Sequence, residues 1–119
     1  MESKFSIIIS TCDKFSDLWD AHIQLLNKNW ADRNVDTFLV TDKPTDRTFE
    51  NVNVVAAGEA TEITERLRAV MPLIKTEYIL FTLDDYFLTE KISTKAILED
   101  IEDMKEQEID YMRLSVLSR

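Results

Sequence analysis

Acidic residues that could bind a ligand or a metal follow the apolar segments of this chain. They are Asp13, Asp42, Asp84 and Asp85. Two neighbouring carboxylates repel each other unless a positive group holds them, and carboxylate oxygens are preferred ligands of Mg2+ and Mn2+. The pair Asp84–Asp85 therefore predicts a divalent metal site, with two solvated loop acids as the alternative.

Composition limits the classes of partner. The chain has 119 residues, which is the size of one domain, and its net charge is −9. Binding of nucleic acid or an anionic membrane through a basic surface is therefore not expected. No apolar run reaches the ~20 residues of a membrane span. The start of the chain has no basic, cleavable leader pattern, and Cys12 has no partner for an internal disulfide, so we predict a cytoplasmic protein.

The first half of the chain alternates strand and helix patterns. Residues 5–10 predict a first strand, and Ser16 is the expected N-cap of the helix that follows. That helix carries one apolar stripe, formed by Trp19, Ile23, Leu26 and Trp30. Residues 36–41 and 51–56 predict two further strands, the second of them near a sheet edge.

The second half continues the alternation. Thr61 is the expected cap of a helix that Pro72 ends, and residues 78–83 form a continuous apolar run. Such a run favours a strand buried on both faces at the centre of a parallel sheet. Ser93 is the expected cap of a third helix, with Ile92 and Ile97 as a hydrophobic staple. Residues 109–118 alternate and predict a last strand.

Strands that alternate with helices predict an α/β fold with a mostly parallel, Rossmann-like sheet and helices on both faces. Right-handed crossovers favour the strand order 3-2-1-4. The carboxyl ends of parallel strands meet at one edge of the sheet, so the four acids are expected to converge there. The acids can accept hydrogen bonds from a base or ribose, and they can hold a metal that bridges phosphates.

The glycine content excludes two common phosphate-binding loops. Gly58 is the single glycine, so neither the Gly-x-Gly-x-x-Gly fingerprint nor a Gly-Lys-Ser loop is present. Phosphates would therefore be held by a metal or by local arginines rather than by backbone amides.

Three segments together resemble the donor-binding part of GT-A fold glycosyltransferases of the family 2-like group. The start, Phe-Ser-Ile-Ile-Ile-Ser-Thr-Cys-Asp-Lys, is similar to the family's first strand and base-contacting loop. Val40-Thr41-Asp42 is similar to its second strand end. Glu77-Tyr-Ile-Leu-Phe-Thr-Leu-Asp-Asp-Tyr-Phe87 is similar to its strand ending in the Asp-x-Asp metal motif. The resemblance implies a nucleotide-diphospho-sugar transferase type of fold.

The resemblance also implies roles for single residues. Asp85 matches the last carboxylate of the metal motif and would bind Mn2+ or Mg2+, whereas Leu83 stands where the first carboxylate belongs. The implied nucleotide-binding residues are Thr11, Asp13, Asp42, Arg68 and Asp84. Arg66 is the alternative to Arg68, because the match slips by about one residue there.

The expected ligand is a nucleotide-diphospho-sugar, and the acceptor is unknown, with a glycan or a polysaccharide precursor as examples. About 30 residues follow Asp85, too few for an acceptor site and a general base at typical element lengths. Residues 1–119 are therefore interpreted as a single donor-binding domain from the N-terminal part of a larger transferase. No catalytic residue is assigned, and uncovered apolar surface would favour a homo-oligomer.

Two other classes stay open. A non-catalytic α/β interaction domain would keep the fold without the chemistry. A phospho-receiver domain fits less well, because Thr11-Cys12-Asp13 supplies one acid where such domains carry two, and Ala56-Ala57 follows the third strand where they carry an acid.

Overall fold

The computed structural model of the protein describes residues 5–58, 63–83, 88 and 91–107. Its strands are β1 (Phe5–Ser10), β2 (Thr37–Thr41), β3 (Asn53–Ala56) and β4 (Tyr78–Leu83). Its α-helices are α1 (Trp19–Asn29), α2 (Ile63–Val70) and α3 (Thr94–Glu106). Two short 3-10 helices, Asp13–Leu18 and Met71–Leu73, precede α1 and follow α2.

All strand pairs in the described sheet are parallel, and the strand order is β3-β2-β1-β4. Ile8 of β1 pairs with Phe38 of β2 and with Phe81 of β4. The order and the parallel direction predicted from the sequence are confirmed. The short β3, which the sequence placed near an edge, is an edge strand of this sheet.

Helices cover both faces of the sheet, as predicted. On one face, the predicted stripe of α1 is buried together with Ile97 and Ile101 of α3 and with alternate residues of β1. Trp30 stacks on Phe5 there, with ring centroids 6.1 Å apart. On the other face, Val70 of α2 packs with Ile8, Phe38 and Val40. The alternation of side chains along β1 therefore builds two separate cores.

The expectation that β4 is buried on both faces at the centre of the sheet is wrong for the described part of the chain. Every residue of β1 and of β2 is buried, whereas Ile79 and Phe81 of β4 are 38% and 37% exposed. The core beneath α2 is built on β1 and β2, so it does not extend to the outer residues of β4. A continuous apolar run does not distinguish a central strand from an edge strand.

The helix ends follow the sequence signals in part. Ser93 caps α3 by accepting a hydrogen bond from the Ala96 N–H at 3.2 Å, and Pro72 lies in the 3-10 turn that ends α2. Ser16 is not a cap, because it lies inside the 3-10 helix that carries the chain from β1 into α1. The predicted cap Thr61 and the predicted strand 109–118 lie outside the described residues.

Polar contacts tie the end of α1 to the segment between β4 and α3. The Asn29 side-chain amide donates to the Leu88 carbonyl at 2.6 Å, and the Ile92 N–H donates to the Asn29 carbonyl at 2.8 Å. The Trp30 indole N–H donates to the Thr94 hydroxyl at 3.0 Å. The amino end of α3 is thereby fixed beside the carboxyl end of α1. Among the helices that the structure describes, none is long and apolar enough to cross a membrane.

Candidate functional site

The strand order defines where a ligand would bind. From β1 the chain runs to β2 and β3 on one side, and β4 lies on the other side of β1. Open α/β sheets bind ligands at the carboxyl ends of the strands, where the order reverses, which here is the space between β1 and β4. Ser10 and Leu83, the last residues of these strands, are paired. Asp84 and Asp85 follow Leu83 in the sequence but lie outside the described residues.

Asp42 joins two loops at this end of the sheet. It follows β2, and its Oδ1 accepts a hydrogen bond from the backbone N–H of Asp13, in the loop after β1, at 2.7 Å. The same oxygen accepts from the Lys43 N–H at 2.9 Å and from the Thr41 hydroxyl at 3.2 Å. Three donors on one carboxylate oxygen fix the orientation of the side chain.

The second oxygen of Asp42 is available to a ligand. Among the described residues, Oδ2 has no hydrogen-bond partner, and the side chain is half-buried. Burial raises the pKa of Asp42, but hydrogen bonds from the backbone N–H groups of Asp13, Asp42 and Lys43 and from the Thr41 hydroxyl outweigh it, so the pKa is lowered overall. Asp42 is therefore an ionised, oriented acceptor at neutral pH.

Thr11 and Asp13, the two candidates in the loop after β1, differ in their surroundings. Thr11 is 3% exposed, and its hydroxyl accepts a hydrogen bond from the indole N–H of Trp19 at 2.8 Å. Its side chain therefore holds the loop against the buried indole of Trp19. Asp13 is exposed at the start of the 3-10 helix, and its backbone N–H is the donor to Asp42. The structure thus brings Asp13 and Asp42 together and turns Thr11 inward.

Of the two arginines of α2, Arg66 is the one that reaches the end of β1. Its Nε donates to the Ser10 hydroxyl at 2.8 Å, whereas Arg68 is exposed. Residues two apart on a helix do not share a face, so one of the two at most can lie against the sheet. Arg66 therefore replaces Arg68 as the candidate cation beside the β1–β4 space.

Sequence reasoning did not identify Arg47, which binds the loop after β2 to the helix after β1. Its guanidinium lies 5.1 Å from the ring centroid of Trp19 and 5.2 Å from that of Phe49. It also donates to the Ser16 carbonyl at 2.8 Å and pairs with Asp20 at 2.9 Å. The only sequence signal was a cation two residues before an aromatic residue in a polar loop, which is too common to be informative.

The described residues contain no group of three or more His, Cys, Asp or Glu side chains that could hold a metal ion. Asp84 and Asp85, to which the metal site was assigned, are outside that part of the chain, so the site stays a prediction. Within the described ranges, the carboxyl end of the sheet supplies an oriented carboxylate and an arginine, which are an acceptor and a donor for a polar ligand.

Fold and site together define a small α/β protein with a Rossmann-like parallel sheet and a polar carboxyl end. Comparison with family models, curated proteins and solved structures gives no match to this chain.

Proposed function

We propose that the chain binds a nucleotide-diphospho-sugar, together with a divalent cation, at the carboxyl end of its sheet. The observation that carries the proposal is the carboxylate of Asp42, which is fixed through Oδ1 and presents Oδ2 as an acceptor. Ribose hydroxyls and the N–H groups of a base are donors that such an oxygen recognises. Hydrogen bonds to a charged acceptor are about twice as strong as those between neutral groups.

The diphosphate of such a ligand needs positive charge, which is scarce in a chain of net charge −9. Arg66 supplies one guanidinium next to Ser10, at the space between β1 and β4. A divalent cation would supply the remaining positive charge, because such a cation binds both carboxylate and phosphate oxygens. Asp85 is the proposed ligand of that cation, and Asp84 is its neighbour on the ribose or diphosphate side. In this proposal the chain is the donor-binding part of a glycosyltransferase.

A thermal-shift experiment tests this proposal. UDP-glucose, GDP-mannose and related sugar nucleotides are added to the wild type with and without Mn2+, because a ligand that binds only the folded state raises the melting temperature. We expect at least one of them to stabilise the protein in the presence of Mn2+. We expect Asp85→Ala to lose this shift and Asp103→Ala, an exposed acid of α3, to keep it. Equal shifts in wild type and Asp85→Ala would contradict the metal assignment.

A second candidate function, a non-catalytic interaction domain, is favoured by one observation. Four large apolar side chains are exposed on β4 and on the 3-10 turn before it, namely Met71, Leu73, Ile79 and Phe81. Exposed apolar patches are typical of protein contact surfaces, and an edge strand, as β4 is among the described strands, favours self-association. Sedimentation of the wild type and of Phe81→Ser tests this function. A wild-type dimer that Phe81→Ser dissociates, without any nucleotide response, would favour it over the first proposal.

A further inference from the structure

The loops after β1 and β2 are attached to each other at two points. At the first, the N–H of Asp13 donates to Asp42 Oδ1 at 2.7 Å. At the second, Arg47 Nη1 donates to the carbonyl of Ser16 at 2.8 Å. Asp13 and Ser16 belong to the 3-10 segment Asp13–Leu18, which is kinked at Phe15, and Asp42 and Arg47 belong to the loop after β2. The two bonds therefore join this short, kinked segment to one loop at two points.

The attachment at Arg47 includes several further contacts. Besides the Ser16 carbonyl, its guanidinium pairs with the Asp20 carboxylate at 2.9 Å. The guanidinium also lies beside two aromatic rings, 5.1 Å from the centroid of Trp19 and 5.2 Å from that of Phe49. The two rings contact each other edge to face, with centroids 6.3 Å apart. Cation–π contacts are stabilising, and they are stronger when the cation is partly desolvated.

The same indole also supports the first attachment. Trp19 is buried, and its Nε1 donates to Thr11, two residues before Asp13. Arg47 and Thr11 thus contact one rigid ring, Arg47 through its guanidinium and Thr11 through its hydroxyl. Arg47 itself makes no contact with Asp42 among the described residues.

We propose that Arg47 is the positioning residue of Asp42, since it clamps the loop after β2 onto the 3-10 helix and so keeps the Asp13 N–H on the Asp42 carboxylate. The clamp itself follows from the contacts of Arg47. Its importance for nucleotide binding rests on the function proposed above.

Lysine cannot replace arginine in this role. A guanidinium is planar and has several N–H groups, so it can lie against aromatic rings while separate N–H groups bind a carbonyl and a carboxylate. An ammonium keeps the charge but cannot make all of these contacts at once. Arg47→Lys therefore separates the positioning effect from the simple loss of a positive charge near Asp42.

The test is an NMR pH titration of the Asp42 carboxyl, which reports the Asp13 hydrogen bond directly. In the wild type we expect the pKa of Asp42 below its ordinary value. In Arg47→Lys we expect it to move up towards the ordinary ~3.9, although the net charge is unchanged. Lys43→Gln removes a neighbouring charge but keeps the backbone donor, so it should leave the pKa low. Asp20→Asn, which removes one partner of the clamp, should give a smaller rise than Arg47→Lys.

An unchanged Asp42 pKa in folded Arg47→Lys would overturn the inference. So would an equal rise in Lys43→Gln, since the effect would then be one of charge alone. Titration of the same variants with a sugar nucleotide and Mn2+ separates this inference from the proposed function. If the pKa moves as expected but the wild type binds no nucleotide, the clamp stands and the proposed function fails. If the wild type binds and Arg47→Lys binds several-fold more weakly, both stand.

Discussion

The two ends of the sheet use polar residues differently. At the amino ends of the strands, Arg33 is 7% exposed and donates to the Thr37 hydroxyl and the Asn51 carbonyl, each at 3.1 Å. Asn29 and Trp30 donate to Leu88 and Thr94. Three of these four hydrogen bonds join segments that are distant in sequence, so they stabilise the fold.

At the carboxyl ends, Ser10, Thr11 and Thr41 are buried, whereas Asp42 is half-buried and has one oxygen without a partner among the described residues. Asp42 uses Oδ1 for three hydrogen bonds and has Oδ2 unbonded among the described contacts. Arg66 approaches Ser10 from α2. The comparison separates two kinds of residue. Substitutions at the amino end should change the free energy of unfolding, and those at the carboxyl end should change ligand binding.

The largest expected effect is that of Trp30→Ala on stability. Trp30 is buried, stacks on Phe5 and donates to Thr94, so the substitution leaves a cavity and removes a hydrogen bond. We expect a loss of about 3–5 kcal/mol of unfolding free energy in chemical denaturation. Trp30→Phe keeps most of the packing and should cost clearly less. Equal losses in both variants would mean that the lost hydrogen bond, and not the lost packing, accounts for the change in stability.

Arg33→Met should have a moderate effect at the same end. Burial removes water from the charge of Arg33 and so lowers its pKa, and its Nη1 has no hydrogen-bond partner among the described residues. Methionine relieves that cost but leaves the Asn51 carbonyl without its donor, so we expect a net loss of about 1–2 kcal/mol by denaturation. A more stable Arg33→Met would show that the buried charge costs more than its hydrogen bonds contribute.

A smaller effect concerns acid sensitivity at the carboxyl end. The pKa of Asp42 is lower in the folded state than in the unfolded chain, so its ionisation stabilises the fold above the unfolded value of about 3.9. That contribution is lost as the pH falls through the folded pKa. When the pH is lowered from 5 into the acid range, the free energy of unfolding should therefore fall less in Asp42→Asn than in the wild type. Denaturation at each pH measures this. Parallel curves for the two proteins would contradict this.

Much of the fold could be predicted because the signals were local and periodic. The stripe Trp19, Ile23, Leu26 and Trp30 gave α1, Ser93 gave the start of α3, and crossover rules gave the strand order. The burial of β4 was predicted wrongly, because a continuous apolar run reports hydrophobicity but not which helix covers it. The core beneath α2 is formed with β1 and β2, and Ile79 and Phe81 of β4 are exposed.

The candidate site could be predicted in part for a similar reason. Asp42 directly follows a predicted strand, so its position at the carboxyl end of the sheet could be predicted from the sequence. The inward turn of Thr11 depends on the indole of Trp19, and the choice of Arg66 over Arg68 depends on the rotation of α2 about its axis. Contacts between residues eight or more positions apart leave no periodic signal in one sequence. The role of Arg47 was missed for that reason.

The most direct test of the central claim is calorimetric titration of a sugar nucleotide, in the presence of Mn2+, into wild type and Asp42→Asn. The asparagine can keep an acceptor for Asp13 while it places a donor where Oδ2 stood. We expect binding to weaken by about 1–3 kcal/mol, the scale of a lost hydrogen bond to a charged group. Asp46→Asn, an exposed acid of the same loop, should bind as the wild type does. Equal affinities of wild type and Asp42→Asn would contradict the claim that Asp42 recognises the ligand.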